Sequence, residues 1–314
     1  GALLVFCGER RSGKTSILFQ ILDQRLGPDF IPVLIDMQSM ATESEAEFLT
    51  KISAEVLKAL GPGPGRPDPP KFTPGTSNSA TFESFIQSVL RSRPGKKLIL
   101  LFDEYELFEN KIDSGTLDHD VLNILASLME NHSVFLIFTG SQHLEERRRE
   151  YWNILGKSIF KTISYLEHDD ATKLVTQPVA GRVQYQDGVV EEIYRLAAGQ
   201  PFYTQAICQS LVDHLNEHHT SVATHEAVQR VVGTLINNPL PQMIFLWDGL
   251  DQDEKLTLAL LAEALPDDRA HASVEDVRRA FRRGEYPIDR DVARISTALE
   301  KLFKSEMVLR DDST

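Results

Sequence analysis

The chain has 314 residues, 42% apolar and 25% charged, with a formal net charge of −13. This is a globular composition with length enough for more than one core, and no apolar run approaches the roughly 20 residues of a membrane span. The acidic balance makes nucleic acid an unlikely partner for the chain as a whole, and its two cysteines, Cys7 and Cys208, far apart in apolar surroundings, read as buried thiols of a cytoplasmic protein.

Ala2–Cys7 reads as a short buried strand that leads straight into a glycine turn, so it is not a signal peptide. The turn, Gly8-Glu9-Arg10-Arg11-Ser12-Gly13-Lys14-Thr15, has the spacing G-x-x-x-x-G-K-[ST] of a phosphate-binding loop, and Lys14–Arg25, from Ser16 onward strongly apolar, continues it as a helix. Strand, loop and helix together offer backbone N–H groups and a positive helix end to a polyphosphate. Gly8 and Gly13 let the backbone curl without a Cβ in the way. Lys14 is placed for the β- and γ-phosphates and Thr15 for Mg²⁺. The side chains of Arg10 and Arg11 only flank a site built from backbone.

Strands at Ile31–Asp36, Lys97–Asp103, Val134–Thr139 and about Ile159–Tyr165 alternate with helices at Glu45–Leu60, Phe82–Arg91, Asp118–Glu130 and Leu144–Tyr151. That alternation predicts an α/β fold with a parallel sheet. Gly61–Ser79, rich in proline and glycine, is a loop. The strand ending Phe102-Asp103-Glu104 delivers two acids to the carboxyl edge of the sheet, where ligands bind in doubly wound folds. Asp103 is expected to hold Mg²⁺ beside Thr15, and Glu104 to orient or deprotonate an attacking water. If the next strand is adjacent, Thr139 or Ser141 reaches the γ-phosphate or that water. Asp36 is read as a plain strand-end acid, Arg147-Arg148-Arg149 as a solvated charge run, and His218-His219 as lacking the partners of a metal site.

After Glu167 the strands are expected to stop. Helices at Asp169–Val175, Gly188–Ala198, Phe202–Asn216 and Glu226–Leu235 form a helical region, and Pro239 and Pro241 mark its end. Helices at Asp253–Ala264, Val274–Arg283 and Asp289–Lys304, with a closing strand at Met307–Arg310, describe a winged helix without its last strand. The predicted domains are therefore residues 1–166, 167–238 and 239–314. A strand beginning at residue 2 and an unreturned strand at the close read as a segment of a longer polypeptide.

These motifs resemble those of the signal-transduction P-loop ATPases called STAND, relatives of the AAA+ ATPases. Gly8–Thr15 is similar to their Walker A motif, Leu98–Glu104 to Walker B, and Thr139-Gly140-Ser141 stands at the sensor-1 position. Gly199-Gln200-Pro201 is similar to the Gly-x-Pro motif of their helical lid, and Phe202-Tyr203-Thr204 follows where AAA+ machines usually carry a sensor-2 arginine. The resemblance implies a P-loop sheet followed by a helical lid and a winged helix. It implies ATP or ADP with Mg²⁺, bound by Gly8, Glu9, Arg10, Arg11, Ser12, Gly13, Lys14, Thr15 and Ser16, with Pro201 from the lid; Thr15 and Asp103 would hold the metal, and Lys14, Glu104 and Thr139 would serve hydrolysis. It further implies slow, regulatory turnover in a signalling or defence protein. The partners would be effector or sensor modules of the same full-length polypeptide or another protein, with a nucleotide-dependent oligomer open.

A competing reading is a DNA-binding AAA+ ATPase similar to origin-recognition initiators. In the last helix Val292, Ile295, Leu299, Leu302 and Phe303 form a core face, and Arg290, Arg294, Thr297, Lys301 and Lys304 lie opposite, on the helix that would enter a major groove. From Leu240 onward, however, 11 basic and 16 acidic residues leave a net −5, a poor start for neutralising phosphates. A P-loop small-molecule kinase would need an acceptor pocket in the lid and no winged helix.

Overall fold

A computed structural model describes residues 2–40, 44–118, 120–130, 132–141, 156, 158–265, 270–284, 292–305 and 307–308. The chain divides into two compact units, Gly1–Ile163 and Ser164–Thr314.

The first unit is built on five strands, β1 (Leu3–Cys7), β2 (Phe30–Asp36), β3 (Lys97–Asp103), β4 (Val134–Gly140) and β5 (Ile159–Thr162), in the order β2-β3-β4-β1-β5. All four pairings are parallel. Parallel sheets are covered on both faces, and β3 shows it: every residue from Leu98 to Asp103 is buried. Its side chains alternate between two cores. Ile99 and Leu101 pack with Leu18 and Ile21 of helix α1 (Lys14–Leu22). Leu98, Leu100 and Phe102 face the larger core, with helices α2 (Glu45–Leu60) and α3 (Ser79–Ser92).

Helix α2 starts where the Ser44 side chain accepts the Glu47 N–H and stops before Gly61, and its Phe48, Ile52 and Val56 repeat every four residues toward that core. Helix α4 (Tyr105–Asp113), which the sequence pattern leaves unassigned, follows β3 directly; α5 (Asp120–Leu128) precedes β4. Residues Tyr105, Phe108 and Ile112 of α4 are buried, and the Tyr105 ring stacks on Phe138 at 4.4 Å between centroids. Each such aromatic burial is worth about 1.5–3 kcal/mol. The predicted helix Leu144–Tyr151, with Arg147, Arg148 and Arg149, lies outside the described residues.

In the second unit α6 (His168–Thr176), α7 (Val189–Ala197), α8 (Pro201–Glu217) and α9 (His225–Asn237) surround Val175, Val189, Ile193, Leu211, Leu215 and Val228. Strands do not stop at Glu167: β6 (Gln184–Tyr185) pairs in parallel with β7 (Val222–Ala223). Two residues per strand carry no readable period. Helix α10 (Pro241–Gly249) stands where only a boundary was expected, with Pro241 in its first turn, where a missing N–H costs nothing.

Helices α11 (Gln252–Ala264), α12 (Val274–Arg283) and α13 (Val292–Lys304) share a small core around Leu260, Val277, Ala280 and Ile295. Capping boxes at Asp251/Glu254 and Ser273/Asp276 begin the first two. On α13, Ile295 and Leu302 are buried but Phe303, expected on the core face, is 41% exposed. It lies about 100° round the helix from Leu302. Met307 and Val308 form a bend, and Leu309 and Arg310 lie outside the described residues, so the described part of this region holds three helices and no closing strand.

Candidate phosphate-binding site

The site begins where β1 runs out. Gly8 has φ +156°, and a Cβ there would stand 2.1 Å from the Ile163 carbonyl oxygen. Its N–H donates to the Gly140 oxygen at 3.2 Å, tying the loop to the end of β4. Gly13, at φ +102°, is the N-cap of α1. Both positions need a residue free to leave the ordinary Ramachandran wells.

The loop between them is shaped like a cradle. Ser12 is buried, and its Oγ has no hydrogen-bond partner. The Lys14 side chain lies back across the loop, its Nζ donating to the Gly8 and Glu9 oxygens at 2.8 and 2.6 Å. Arg10, Arg11, Thr15 and Ser16 are exposed and Glu9 is half-buried. The first turn of α1 holds no acid of its own.

Sheet order brings the other polar groups to this place. Thr15 Oγ1 donates to Asp103 Oδ1 at 3.3 Å, and the Thr139 hydroxyl donates to the same oxygen. The Glu104 N–H donates to Thr139 Oγ1 at 3.2 Å. Glu104 is half-buried and left-handed, at φ 57° and ψ 58°, and is the N-cap of α4. The Ser141 N–H donates to the carboxylate of Glu106. Asp36 pairs in register with Asp103, but its Oδ1 accepts the Gln38 N–H at 2.9 Å and so serves the turn after β2.

These residues fit a magnesium nucleotide. An unpartnered buried hydroxyl, a glycine with no room for a Cβ and a helix N-terminus with no acid in its first turn suit a polyphosphate. Thr15 Oγ1 and Asp103 Oδ1 are adjacent hard oxygens of the kind Mg²⁺ takes. No group of three or more His, Cys, Asp or Glu side chains gathers among the described residues, so a metal here would take its other ligands from nucleotide and water.

The Gly199-Gln200-Pro201 motif has a local structural reason. A Cβ on Gly199 (φ +71°) would stand 2.5 Å from the Leu166 oxygen. The Gln200 side chain caps α8 by accepting the Tyr203 N–H at 2.9 Å, and Pro201 occupies the first helical position. The basic face of α13 is largely spent within its own unit. Arg294 pairs with Asp253 at 2.8 Å, and Lys301 with Asp251 at 2.7 Å and Glu254 at 3.9 Å. Lys301 holds the Asp251 carboxyl below its usual range, and Asp251 raises Lys301 in return. Arg290 lies outside the described residues. Glu106 is the one site residue the sequence pattern missed; an acid in an unassigned segment gives no signal until α4 is seen.

Residues 1–147 match the family described as "AAA domain". Among solved structures the chain is similar to the ORC2 protein of Aeropyrum pernix in its ADPNP-ADP complexes. The TM-score is 0.60 at 12% identity, over 100% of this chain and 82% of that one. A point mutant of Thermotoga maritima RuvB gives a TM-score of 0.50 at 12% identity, over 99% and 83%. At such identities the likeness shows the fold alone, an α/β fold with a parallel five-stranded sheet like that of the P-loop AAA+ ATPases. No curated protein matches the chain.

Proposed function

We propose that the chain is a nucleotide-dependent switch of the STAND type, which binds ATP with Mg²⁺, hydrolyses it slowly and transmits the difference between ATP and ADP to a signalling or defence assembly in the cytoplasm. One observation carries this reading: hydroxyls from the phosphate loop and from β4 meet on a single oxygen of Asp103, with Glu104 set in a left-handed turn beside it. Backbone N–H groups from Gly8 to Ser16 receive the phosphates, and Lys14 leaves the loop carbonyls to neutralise them. Thr15 and Asp103 hold the metal. Bound Mg²⁺ supplies positive charge to the β- and γ-phosphates. The Glu104 carboxylate accepts a proton from the attacking water. Pro201 is the residue of the second unit that the resemblance assigns to the nucleotide, and α11–α13 are read as the helices of a winged helix.

A near-complete flip requires the ligand to favour one state by about 10⁴-fold, so hydrolysis acts as a timer and is slow. Partners are then modules of the same polypeptide, another protein, or further copies in an oligomer. The test is fluorescent-nucleotide binding with steady-state phosphate release. Tight ATP binding with turnover well below about 1 s⁻¹, the low end of ordinary enzymes, supports the switch. Turnover at tens per second would sink it.

The likeness to the ORC2 fold favours a second reading, a DNA-binding AAA+ ATPase akin to origin-recognition initiators. Against it stand the ion pairs of Arg294 and Lys301 and the net −5 from Leu240 onward. A gel shift with duplex DNA separates the two. A shift that fades with salt replaces the first reading by the second, and no shift at low salt removes DNA.

A further inference from the structure

Thr139 stands where a contact to the terminal phosphate would be sought, yet its one donor hydrogen is already committed. A threonine hydroxyl has one hydrogen to give and two lone pairs. The hydrogen goes to Asp103 Oδ1, and a lone pair takes the Glu104 N–H at 3.2 Å. Thr139 is fully buried, so its hydroxyl has no water to turn to. The Ser141 N–H, just past the end of β4, is likewise given to the Glu106 carboxylate. Both groups are therefore bound to the end of β3 and the start of α4.

That turn needs holding. Glu104 carries a Cβ yet sits at φ 57°, ψ 58°, a region such residues enter only when their surroundings over-determine it. Its N–H is one of the first of α4 and has no partner inside the helix. Thr139 supplies that partner, and Glu106 binds the same helix to the exit of β4.

We infer that Thr139 is a positioning residue, a clasp that holds the Glu104 turn with Glu106 as a second clasp, and not a contact of the γ-phosphate. The inference rests on the reading of Glu104 as the base and deepens it. It changes which property a Thr139 variant should alter: the rate, through Glu104, and not the preference for ATP over ADP.

The test compares Thr139→Val, Thr139→Ser and Glu106→Ala with the parent. The first readout needs no hydrolysis. Amide exchange of the Glu104 N–H should quicken about tenfold or more in Thr139→Val, the change expected for losing one buried hydrogen bond, and recover in Thr139→Ser. Unchanged exchange overturns the clasp whether or not the chain turns over ATP. In the second readout Thr139→Val should lower kcat about tenfold with the ratio of ATP to ADP affinities unchanged, and Thr139→Ser should restore the rate. Glu106→Ala should do the same more weakly.

A selective loss of ATP affinity in Thr139→Val would make Thr139 a phosphate contact and overturn the inference. Parent protein that releases no phosphate, or Glu104→Gln at the parental rate, sinks the base assignment instead, and the amide readout still decides the clasp.

Discussion

The phosphate loop can be probed through its two glycines, which the structure predicts to be unequal. A Cβ on Gly8 meets the Ile163 oxygen at 2.1 Å, whereas a Cβ on Gly13 meets nothing within 4 Å. Relieving the first contact needs a backbone shift of roughly an ångström, since non-bonded heavy atoms settle at about 3.5 Å. Ile163 cannot yield freely, because its N–H donates to the Cys7 oxygen at 2.7 Å and so continues the β1–β5 ladder. Gly8→Ala therefore combines an unfavourable φ, about 1 kcal/mol, with a lost or stretched ladder bond, about 1 kcal/mol more, and residual overlap. The sum is about 2–4 kcal/mol, or roughly 5–15 °C in the melting temperature of a unit this size. Gly13→Ala carries only the φ penalty, about 1 kcal/mol, or roughly 2–4 °C. Thermal and urea unfolding of both variants, followed by nucleotide titration, checks the difference. A Gly13→Ala protein as destabilised as Gly8→Ala, or a Gly8→Ala protein within about 0.5 kcal/mol of the parent, refutes the reasoning.

Lys14→Ala is expected to abolish nucleotide binding in a fluorescence titration, while Glu104→Gln binds ATP and releases no phosphate above background. The helical unit should respond to pH through two histidines that grip α7 at consecutive acids. His168 Nε2 meets Glu191 at 2.5 Å and is raised above 6.5 chiefly by that hydrogen bond, with Asp169 adding to it. His225 is raised chiefly by its hydrogen bond to buried Glu192, then by the Asp187 carbonyl, with Arg195 opposing. Because the folded pKa lies above the unfolded one, this stabilisation is complete below about 6.5 and is lost as pH rises through the folded values. Urea midpoints taken from about pH 6 to 8.5 should fall, and the double variant His168→Gln/His225→Gln should flatten that slope; an unchanged slope counts against the two pairs. Burial pushes the Cys208 thiol up to about 11 and the nearby Tyr185 phenol up to about 12. Cys208 should thus resist thiol reagents at neutral pH until the unit unfolds, which a colorimetric thiol titration with and without denaturant would show; rapid native labelling would contradict it.

What could be read locally came through. The run from Leu98 to Phe102 announces a two-faced buried strand because no solvated strand carries five apolar residues in a row, and the glycines of Gly8–Thr15 announce their loop because few other sequences can make that curl. Helix α4 did not announce itself. Its Tyr105, Phe108 and Ile112 are separated by charged residues and gain their meaning only against Phe138 and Phe102. The basic stripe of α13 looked available because its counter-charges, Asp251 and Asp253, lie 50 and 41 positions earlier.

By itself the sequence determined the phosphate loop, the parallel α/β alternation and the two acids at the end of β3, since each depends on turn chemistry or side-chain period within a few residues. Only the tertiary structure decided that β3 lies between β2 and β4 and that β1 lies beside β4. That order sets Thr15 and Thr139 on one oxygen of Asp103, 88 and 36 positions away. It also gives the Thr139 hydroxyl to the Glu104 turn. Hydrogen-bond partners so distant in the chain are chosen by strand order and register, and neither is written in the spacing of the residues that meet.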